Sequence, residues 1–201
     1  MNKNYDRLLS IKTKNKGSFV NQSSKYKPYE ATPYSLLHTL FTNYPLKKTD
    51  VFVDFGSGKG RLLFYVHYLF GAKVVGVEKD IHLYEKTLNN KKNYLQKFNV
   101  NSSFINIHYC LAEQYEIKAK ENKFYFFNPF SEEIFQKVIN NIVKSVQTYP
   151  RTVDLILYYP HDNYIKYLKT TAFQCIQKVK VPGLSKINKN ERFLIFRFEE
   201  K

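Results

Sequence analysis

The most constraining feature of this sequence is the stretch from Val51 to Arg61, which reads Val-Phe-Val-Asp-Phe-Gly-Ser-Gly-Lys-Gly-Arg. Its first five residues favour a short buried strand, and residues 61–70 repeat apolar side chains at helical spacing. Three alternating glycines, Gly56, Gly58 and Gly60, fill the turn between strand and helix. Glycine permits a sharp turn and leaves room for a ligand, and the start of the helix offers unpaired amides. The stretch therefore predicts a strand–loop–helix unit that binds a ligand.

Strand-like and helix-like segments alternate along the chain, which predicts a parallel sheet with helices on both faces. The last two strands, near 174–181 and 192–199, are separated only by the loop Pro182 to Glu191, so we expect them to form an antiparallel hairpin. The predicted fold is a Rossmann-like, doubly wound α/β fold whose seven-stranded sheet is mostly parallel. The other strands are expected near residues 51–55, 73–78, 104–109, 123–127 and 153–159.

The chain length of 201 residues fits one domain. Residues 1–25 are polar and basic without regular apolar spacing, so we expect a flexible N-terminal arm, with contact to substrate or nucleic acid as the alternative. Residues 26–201 are predicted to form the domain, and residues 26–48 place one helix ahead of the first strand, capped by Thr32. In the helix near 80–98, apolar spacing predicts this inward face: Ile81, Tyr84, Leu88, Leu95 and Phe98.

The charge of the chain bears on its partners. Its 32 Lys+Arg against 17 Asp+Glu give a formal net charge of +15, which favours a polyanion such as nucleic acid, although compositional bias explains it equally well. Two cysteines, Cys110 and Cys175, provide neither a disulfide framework nor a metal cluster, so we expect a reducing cytoplasm and no metal. No apolar run is long enough for a bilayer, so no membrane partner is expected. The oligomeric state is left open.

The order Asp-x-Gly-x-Gly-x-Gly, from Asp54 to Gly60, resembles the first motif of class I S-adenosylmethionine (SAM)-dependent methyltransferases. A dinucleotide fingerprint would place its last glycine where this chain has Arg61. The resemblance implies SAM as the cofactor and S-adenosylhomocysteine as the product. In that family the acid at Asp54 lies near the methionine part of SAM, and the acid that ends the second strand, here Glu78, accepts hydrogen bonds from the ribose hydroxyls.

The resemblance also assigns residues further along the chain. Leu111 and Ala112 follow the third strand, where the family contacts adenine, although the usual Asp is missing and Glu113 is a candidate substitute. Tyr29 and Tyr34 precede the first strand and are candidate substrate or lid residues, with simple helix packing as the alternative. The predicted cofactor-binding residues are Asp54, Gly56, Ser57, Gly58, Gly60, Glu78, Leu111 and Ala112.

Candidate catalytic residues follow the fourth and fifth strands. Asn128-Pro129-Phe130 resembles the Asn-Pro-Pro-Tyr motif of methyltransferases that act on planar nitrogens, in which the Asn side chain and the Pro carbonyl accept hydrogen bonds from the target amine. A capped strand end with Phe130 in the core is the alternative. His161 is a candidate base, with a solvated loop residue as the alternative.

We expect methyl transfer to a nitrogen of a macromolecule, nucleic acid or protein, more than to a small molecule, because a chain without an inserted substrate domain offers a shallow acceptor site. The charge favours nucleic acid, whereas Val-Asp-x-Gly-Ser-Gly-x-Gly-Arg also resembles seven-strand lysine methyltransferases. The alternative is a non-catalytic module of the same fold that binds RNA or a protein partner.

Overall fold

The computed structural model describes residues 4–14, 25–27 and 29–199. Helices and strands alternate along most of this part of the chain. The strands are β1 (Val51–Phe55), β2 (Lys73–Glu78), β3 (Ile105–Tyr109), β4 (Lys123–Phe126), β5 (Val153–Tyr158), β6 (Gln174–Lys180) and β7 (Arg192–Phe198). The helices are α1 (Tyr5–Leu9), α2 (Tyr34–Asn43), α3 (Arg61–Phe70), α4 (Ile81–Phe98), α5 (Glu132–Thr148), α6 (Asp162–Leu168) and α7 (Leu184–Ile187).

The strands form one sheet in the order β3-β2-β1-β4-β5-β7-β6. Strands β1 to β5 pair in parallel with their neighbours, and β7 lies antiparallel between β5 and β6. The predicted Rossmann-like fold with its closing hairpin is confirmed. The short helix α7 lies within the loop expected between the last two strands and leaves their antiparallel pairing intact.

Each face of the sheet is covered by helices. On one face α2 and α3 bury Leu37 and Leu63 in a core that also includes Phe52 of β1. On the other face α5 and α6 pack together, where the rings of Phe135 and Tyr164 stack at 3.7 Å between centroids. Burial of these apolar surfaces is the main term that holds the layers together. The strand order reverses between β1 and β4, which leaves a crevice at their carboxyl ends.

Residues 4–14 differ from the expected flexible arm, because they pack against the domain. Leu9 and Ile11 are buried in the same core as α2 and α3. The buried carboxylate of Asp6 accepts hydrogen bonds from the Thr13 amide (2.8 Å) and the Thr13 hydroxyl (2.7 Å), which turn the chain back after α1. A five-residue helix is too short to show apolar periodicity, so the sequence pattern missed it. Residues 1–3 and 15–24 of the predicted arm lie outside the described residues.

The start of α2 also differs from the expectation. Pro33 is the N-cap residue, and no side chain caps the helix. The Thr32 hydroxyl, predicted as the cap, instead hydrogen-bonds the Tyr125 hydroxyl of β4 at 2.8 Å. A tertiary contact to the sheet therefore replaces the local cap.

The inward face of α4 is rotated from the predicted one. The buried residues are Leu83, Thr87, Asn90 and Tyr94, whereas Ile81 and Leu88 are each 39% exposed. The physical reason is that α4 packs partly on polar backbone: the Thr87 hydroxyl donates to the Gly58 carbonyl (2.6 Å) and the Asn90 amide to the Lys59 carbonyl (2.9 Å). The spacing of apolar residues gives no signal for polar side chains that face inward to bond backbone carbonyls.

Candidate functional site

A cleft opens at the carboxyl ends of β1 and β4. The glycine loop after β1 forms one wall with Asp54, Gly56 and Ser57. The segment ahead of α2, residues 29–32, forms another wall, and β4 contributes Tyr125. The cleft therefore lies where the strand order predicts a binding site.

The glycine loop adopts a backbone that only glycine supports without strain. Gly56 has φ +79° and Gly58 has φ +57°, in the left-handed region that L-residues rarely enter. A Cβ on Gly56 would lie 2.9 Å from the Pro129 Cβ, and a Cβ on Gly58 would overlap the ring of Tyr29. Gly60 is the N-cap residue of α3. The predicted turn is confirmed, and its glycines also admit close neighbours.

Asp54 is buried at the floor of this cleft. Burial, and then the nearby charge of Glu78, raise the pKa of the Asp54 carboxyl to about 8. No basic side chain in the described residues forms an ion pair with it. A carboxyl group in this state gains most from a bound cation, because a positive charge favours its ionised form.

Glu78, at the end of β2, is joined to the glycine loop. Its Oε2 accepts a hydrogen bond from the Gly58 amide and its Oε1 one from the Asp80 amide, both at 2.8 Å. Burial raises the pKa of the Glu78 carboxyl. Each carboxylate oxygen has a further lone pair, so the side chain retains the capacity to accept hydrogen bonds from a ligand.

The chemistry of this cleft fits the cofactor implied by the sequence. Asp54 lines the cleft, and its carboxyl gains from a bound cation. The Glu78 carboxylate holds the adjacent glycine loop and keeps free lone pairs. These two acids match the ammonium and the hydroxyl groups of SAM. The Ser57 hydroxyl oxygen is buried without a hydrogen-bond partner and lies against β2, 2.7 Å from the position that a Cβ on Gly76 would take.

Known proteins agree with this assignment. The family model described as histone methylation protein DOT1 matches residues 5–146, more than half of the chain. The chain belongs to the DOT1 family. No curated protein sequence gives a significant match. The class I SAM-dependent methyltransferase prediction is thereby confirmed in family and fold.

The solved structures that resemble this DOT1-family chain include methyltransferases. An RNA methyltransferase from Salinibacter ruber in complex with S-adenosyl-L-homocysteine has a TM-score of 0.60 and 17% identity, covering 86% of this chain and 95% of that one. An rRNA methylase from Streptococcus thermophilus has a TM-score of 0.57 and 14% identity, covering 82% of this chain and 95% of that one. At these identities the similarity shows the fold.

The two lid candidates of the DOT1-family chain occupy different places. The Tyr29 ring lies against Gly58 and lines the cleft, and its hydroxyl donates to the Thr13 carbonyl at 3.0 Å. Tyr34 instead donates to the Asp6 carboxylate at 2.7 Å, and the Arg61 guanidinium lies 4.8 Å from its ring. Tyr29 is therefore placed to cover a ligand, whereas Tyr34 joins α1, α2 and α3, which is the packing alternative.

The residues after β3 lie beside Glu78. The Cys110 amide donates to the Glu78 carbonyl at 3.2 Å, which places Leu111 and the buried Ala112 next to this strand end. The carboxylate of Glu113, the candidate substitute for the missing Asp, accepts a 2.7 Å hydrogen bond from the Tyr26 hydroxyl. It is thus engaged within the protein.

The Asn128-Pro129-Phe130 segment is not arranged as in the motif it resembles. The Pro129 carbonyl accepts a 2.9 Å hydrogen bond from the Lys27 amide. Phe130 is buried in the core, and its carbonyl accepts from the Tyr164 hydroxyl. Asn128 has φ +43°, an uncommon conformation for a side-chain-bearing residue. The core alternative describes Phe130, whereas Asn128 and the second lone pair of the Pro129 carbonyl remain available to an acceptor.

His161 has a local structural contact. It is exposed and is the N-cap residue of α6, where its Nδ1 accepts from the Asn163 amide at 3.3 Å. A weak capping bond of this kind positions the helix start. Among the described residues, no contact brings this imidazole to the cleft.

Several residues in or near the cleft carry no recognisable signal in the sequence. Tyr26 lies between the Lys79 ammonium, 4.2 Å from its ring centroid, and Glu113. Tyr125 and Phe127 lie in or just after a strand and read as ordinary core residues, so no local pattern distinguishes them. Arg61 donates from Nε to the Thr13 hydroxyl at 2.7 Å and thereby ties the N-terminal segment to the glycine loop. These contacts depend on distant parts of the chain.

In the part of the chain that the structure describes, no group of His, Cys, Asp and Glu side chains is arranged to hold a metal ion. Likewise, none of the helices described is long and apolar enough to cross a membrane.

Proposed function

We propose that this protein transfers a methyl group from SAM to a nitrogen of a macromolecular acceptor, nucleic acid or protein. The observation that carries the proposal is the convergence of Asp54 and Glu78 at the glycine loop. Asp54 would hold the ammonium group of SAM and Glu78 its ribose hydroxyls. The backbone of Leu111 and Ala112 would lie along the adenine.

Bound SAM supplies a sulfonium that makes its methyl group electrophilic. The chain contributes orientation and exclusion of water, which are the main requirements of an in-line displacement. Tyr29 covers the glycine loop from the side of residues 29–32, and the hydrogen bonds of Thr87 and Glu78 hold the loop rigid. A catalytic base is not required by this arrangement.

Two lines of support bear on the acceptor. The matching family model is described as a histone methylation protein, and the structures similar in fold include an RNA methyltransferase and an rRNA methylase. Both descriptions name macromolecules. Phe130 is buried in the core and the Pro129 carbonyl already accepts from Lys27, so Asn128 is the residue of this segment best placed for acceptor recognition.

The cofactor is tested by calorimetric titration of the purified protein with SAM, S-adenosylhomocysteine and NAD. We expect saturable binding of the first two and none of NAD. Asp54→Ala and Glu78→Ala should each weaken binding by about 1–3 kcal/mol, the scale of a hydrogen bond to a charged group. Glu85→Ala, an exposed acid on α4, is the matched control and should bind normally.

Transfer is tested by incubation with methyl-labelled SAM and either total RNA or a protein extract. Label in either fraction that is lost in Asp54→Ala supports the proposal and identifies the class of acceptor. Failure of the wild-type protein to bind SAM or its product would contradict the proposal and favour a non-catalytic module of this fold.

A further inference from the structure

The connection between β6 and β7, residues 181–191, lies beside the cofactor cleft; we call it the β6–β7 arm. Strand β6 runs parallel to β1–β5, because β7 is antiparallel to both β5 and β6. The end of β6 at Lys180 therefore lies at the same sheet edge as Asp54 and Glu78. The arm projects from this edge and includes the single turn of α7.

Side-chain hydrogen bonds fix the arm to the end of β5. The Tyr158 hydroxyl donates to the Glu191 carboxylate at 2.6 Å, and the Asn188 amide donates to the Tyr159 hydroxyl at 2.8 Å. The Tyr158 ring in turn contacts the ring of Phe127, with 4.6 Å between centroids, and Phe127 lines the cleft. The arm is thus separated from the cleft by one pair of aromatic rings. It lies on the side of the cleft opposite β2 and β3.

The outer surface of the arm is cationic and apolar. Ile187 is 88% exposed and Leu184 45%. Lys186 and Lys189 are exposed as well. The one acid of the arm is Glu191, which is bonded to Tyr158 and faces the domain. The outer surface of the arm therefore presents two apolar side chains beside two cations and no free acid.

We propose that the β6–β7 arm docks an RNA acceptor, with Lys186 and Lys189 against phosphates and Ile187 against an unstacked base or its ribose. This inference rests on the proposed function and names its acceptor. The chain carries a net charge of +15, so it attracts a polyanion and repels a basic protein tail. An apolar side chain on a short projecting turn suits single-stranded RNA, whose bases are open to contact.

The experiment measures binding of a short fluorescein-labelled single-stranded RNA of mixed sequence to the full chain by anisotropy, over a series of salt concentrations. The double variant K186E/K189E should bind about tenfold more weakly. Its slope of log K against log salt should be smaller by about 1.4, since each phosphate contact on a single strand contributes about 0.7. I187S should weaken binding without changing the slope. The matched control is K47E/K48E, which reverses two exposed lysines ahead of β1, at the opposite sheet edge.

Equal losses in the two double variants would overturn the inference, because binding would then follow overall charge. An acidic peptide, poly-glutamate, that binds the arm as tightly as the RNA would overturn the choice of RNA. Calorimetry with S-adenosylhomocysteine separates this inference from the proposed function, since all arm variants should retain wild-type affinity. If the wild type binds RNA through the arm but does not bind S-adenosylhomocysteine, the proposed function is wrong. If it binds S-adenosylhomocysteine but the arm variants bind RNA as tightly as the wild type, the inference about the arm is wrong.

Discussion

The carboxylate of Glu78 accepts a 2.8 Å hydrogen bond from the amide of Gly58, so the acid that ends β2 also holds the glycine loop that follows β1. The same side chain accepts from the Asp80 amide at the start of α4. One carboxylate therefore fixes the positions of two segments around the cleft, in addition to the ribose contact proposed for it.

This double role predicts that Glu78→Ala lowers both cofactor affinity and stability. Removal of the carboxylate leaves the buried Gly58 amide without its acceptor, which costs about 1–3 kcal/mol of unfolding free energy. Glu78→Gln retains one acceptor oxygen and should fall between the wild type and Glu78→Ala. Urea unfolding measures the stability and calorimetry with S-adenosylhomocysteine the affinity. A Glu78→Ala protein of unchanged stability would show that the Gly58 contact contributes nothing.

Cofactor binding should depend on pH through Asp54. Its pKa is raised to about 8 by burial and by Glu78, so the carboxyl is mostly protonated at neutral pH and must release a proton when an ammonium binds. Affinity should therefore rise, by up to about tenfold per pH unit, between about pH 6 and pH 7.5. Titration with S-adenosylhomocysteine in buffers of different ionisation enthalpy counts the released proton. Asp54→Asn should bind weakly and without this pH dependence; proton release equal to that of the wild type would refute the assignment.

The same raised pKa predicts a cost in stability. A group whose pKa is raised in the folded state contributes stability that is complete below its unfolded pKa and is lost as pH rises through the folded value. The free energy of unfolding of the wild type should therefore fall as pH rises towards 8. At pH 8 that of Asp54→Asn should be higher by at least about 1 kcal/mol, because one pKa unit corresponds to about 1.4 kcal/mol. Urea unfolding at several pH values measures this. Asp162→Asn, at an exposed position of α6, should follow the wild type.

The sequence predicted the sheet and the cofactor loop because both depend on local patterns. Buried parallel strands are continuous apolar runs, and the turn at Gly56 and Gly58 requires glycine for its backbone conformation. The position of Glu78 follows from the end of its strand. These features carry their signal within a few neighbouring residues.

The remaining parts of the site depend on tertiary contacts that no local pattern encodes. The Pro129 carbonyl accepts a hydrogen bond from a distant backbone amide, that of Lys27, so the fold uses one of the acceptor sites that the motif offers. Asn90 and Thr87 face inward because α4 packs on backbone carbonyls. Residues 4–14 pack through the buried Leu9 and Ile11 and through the hydrogen bonds of Asp6 and Thr13.

The contact of Tyr29 with Gly58 predicts a coupled pair of substitutions. Gly58→Ala places a methyl group where the Tyr29 ring lies, at φ +57°, and the left-handed backbone alone costs about 1–2 kcal/mol. Tyr29→Ala in the same chain should recover the part of the loss that is due to overlap. A double-mutant cycle by urea unfolding should then give a coupling of about 0.5–3 kcal/mol. Strictly additive effects would mean that the two residues do not touch.

The buried ion pairs of Asp154 predict that Asp154→Ala lowers the stability of the fold independently of the cofactor. It is fully buried near the amino end of β5, where its carboxylate pairs with Lys123 at 2.6 Å and Arg197 at 2.7 Å. Burial alone would raise the pKa of this carboxyl, but the hydrogen bonds from Arg197 and Lys123 outweigh it and hold the pKa below its ordinary value. Asp154→Ala removes the buried carboxylate that Lys123 and Arg197 share and should cost about 3–5 kcal/mol.

That stabilisation is present above the unfolded pKa of an aspartate and is lost as pH falls through the lower folded value. The difference in unfolding free energy between the wild type and Asp154→Ala should therefore shrink in acid, whereas affinity for S-adenosylhomocysteine should stay unchanged near neutral pH because the cleft lies at the other end of the sheet. Glu116→Ala removes an exposed pair with Lys118 and should leave stability unaltered. A difference for Asp154→Ala that persists undiminished in acid would show that lost packing, and not the charge network, accounts for the effect.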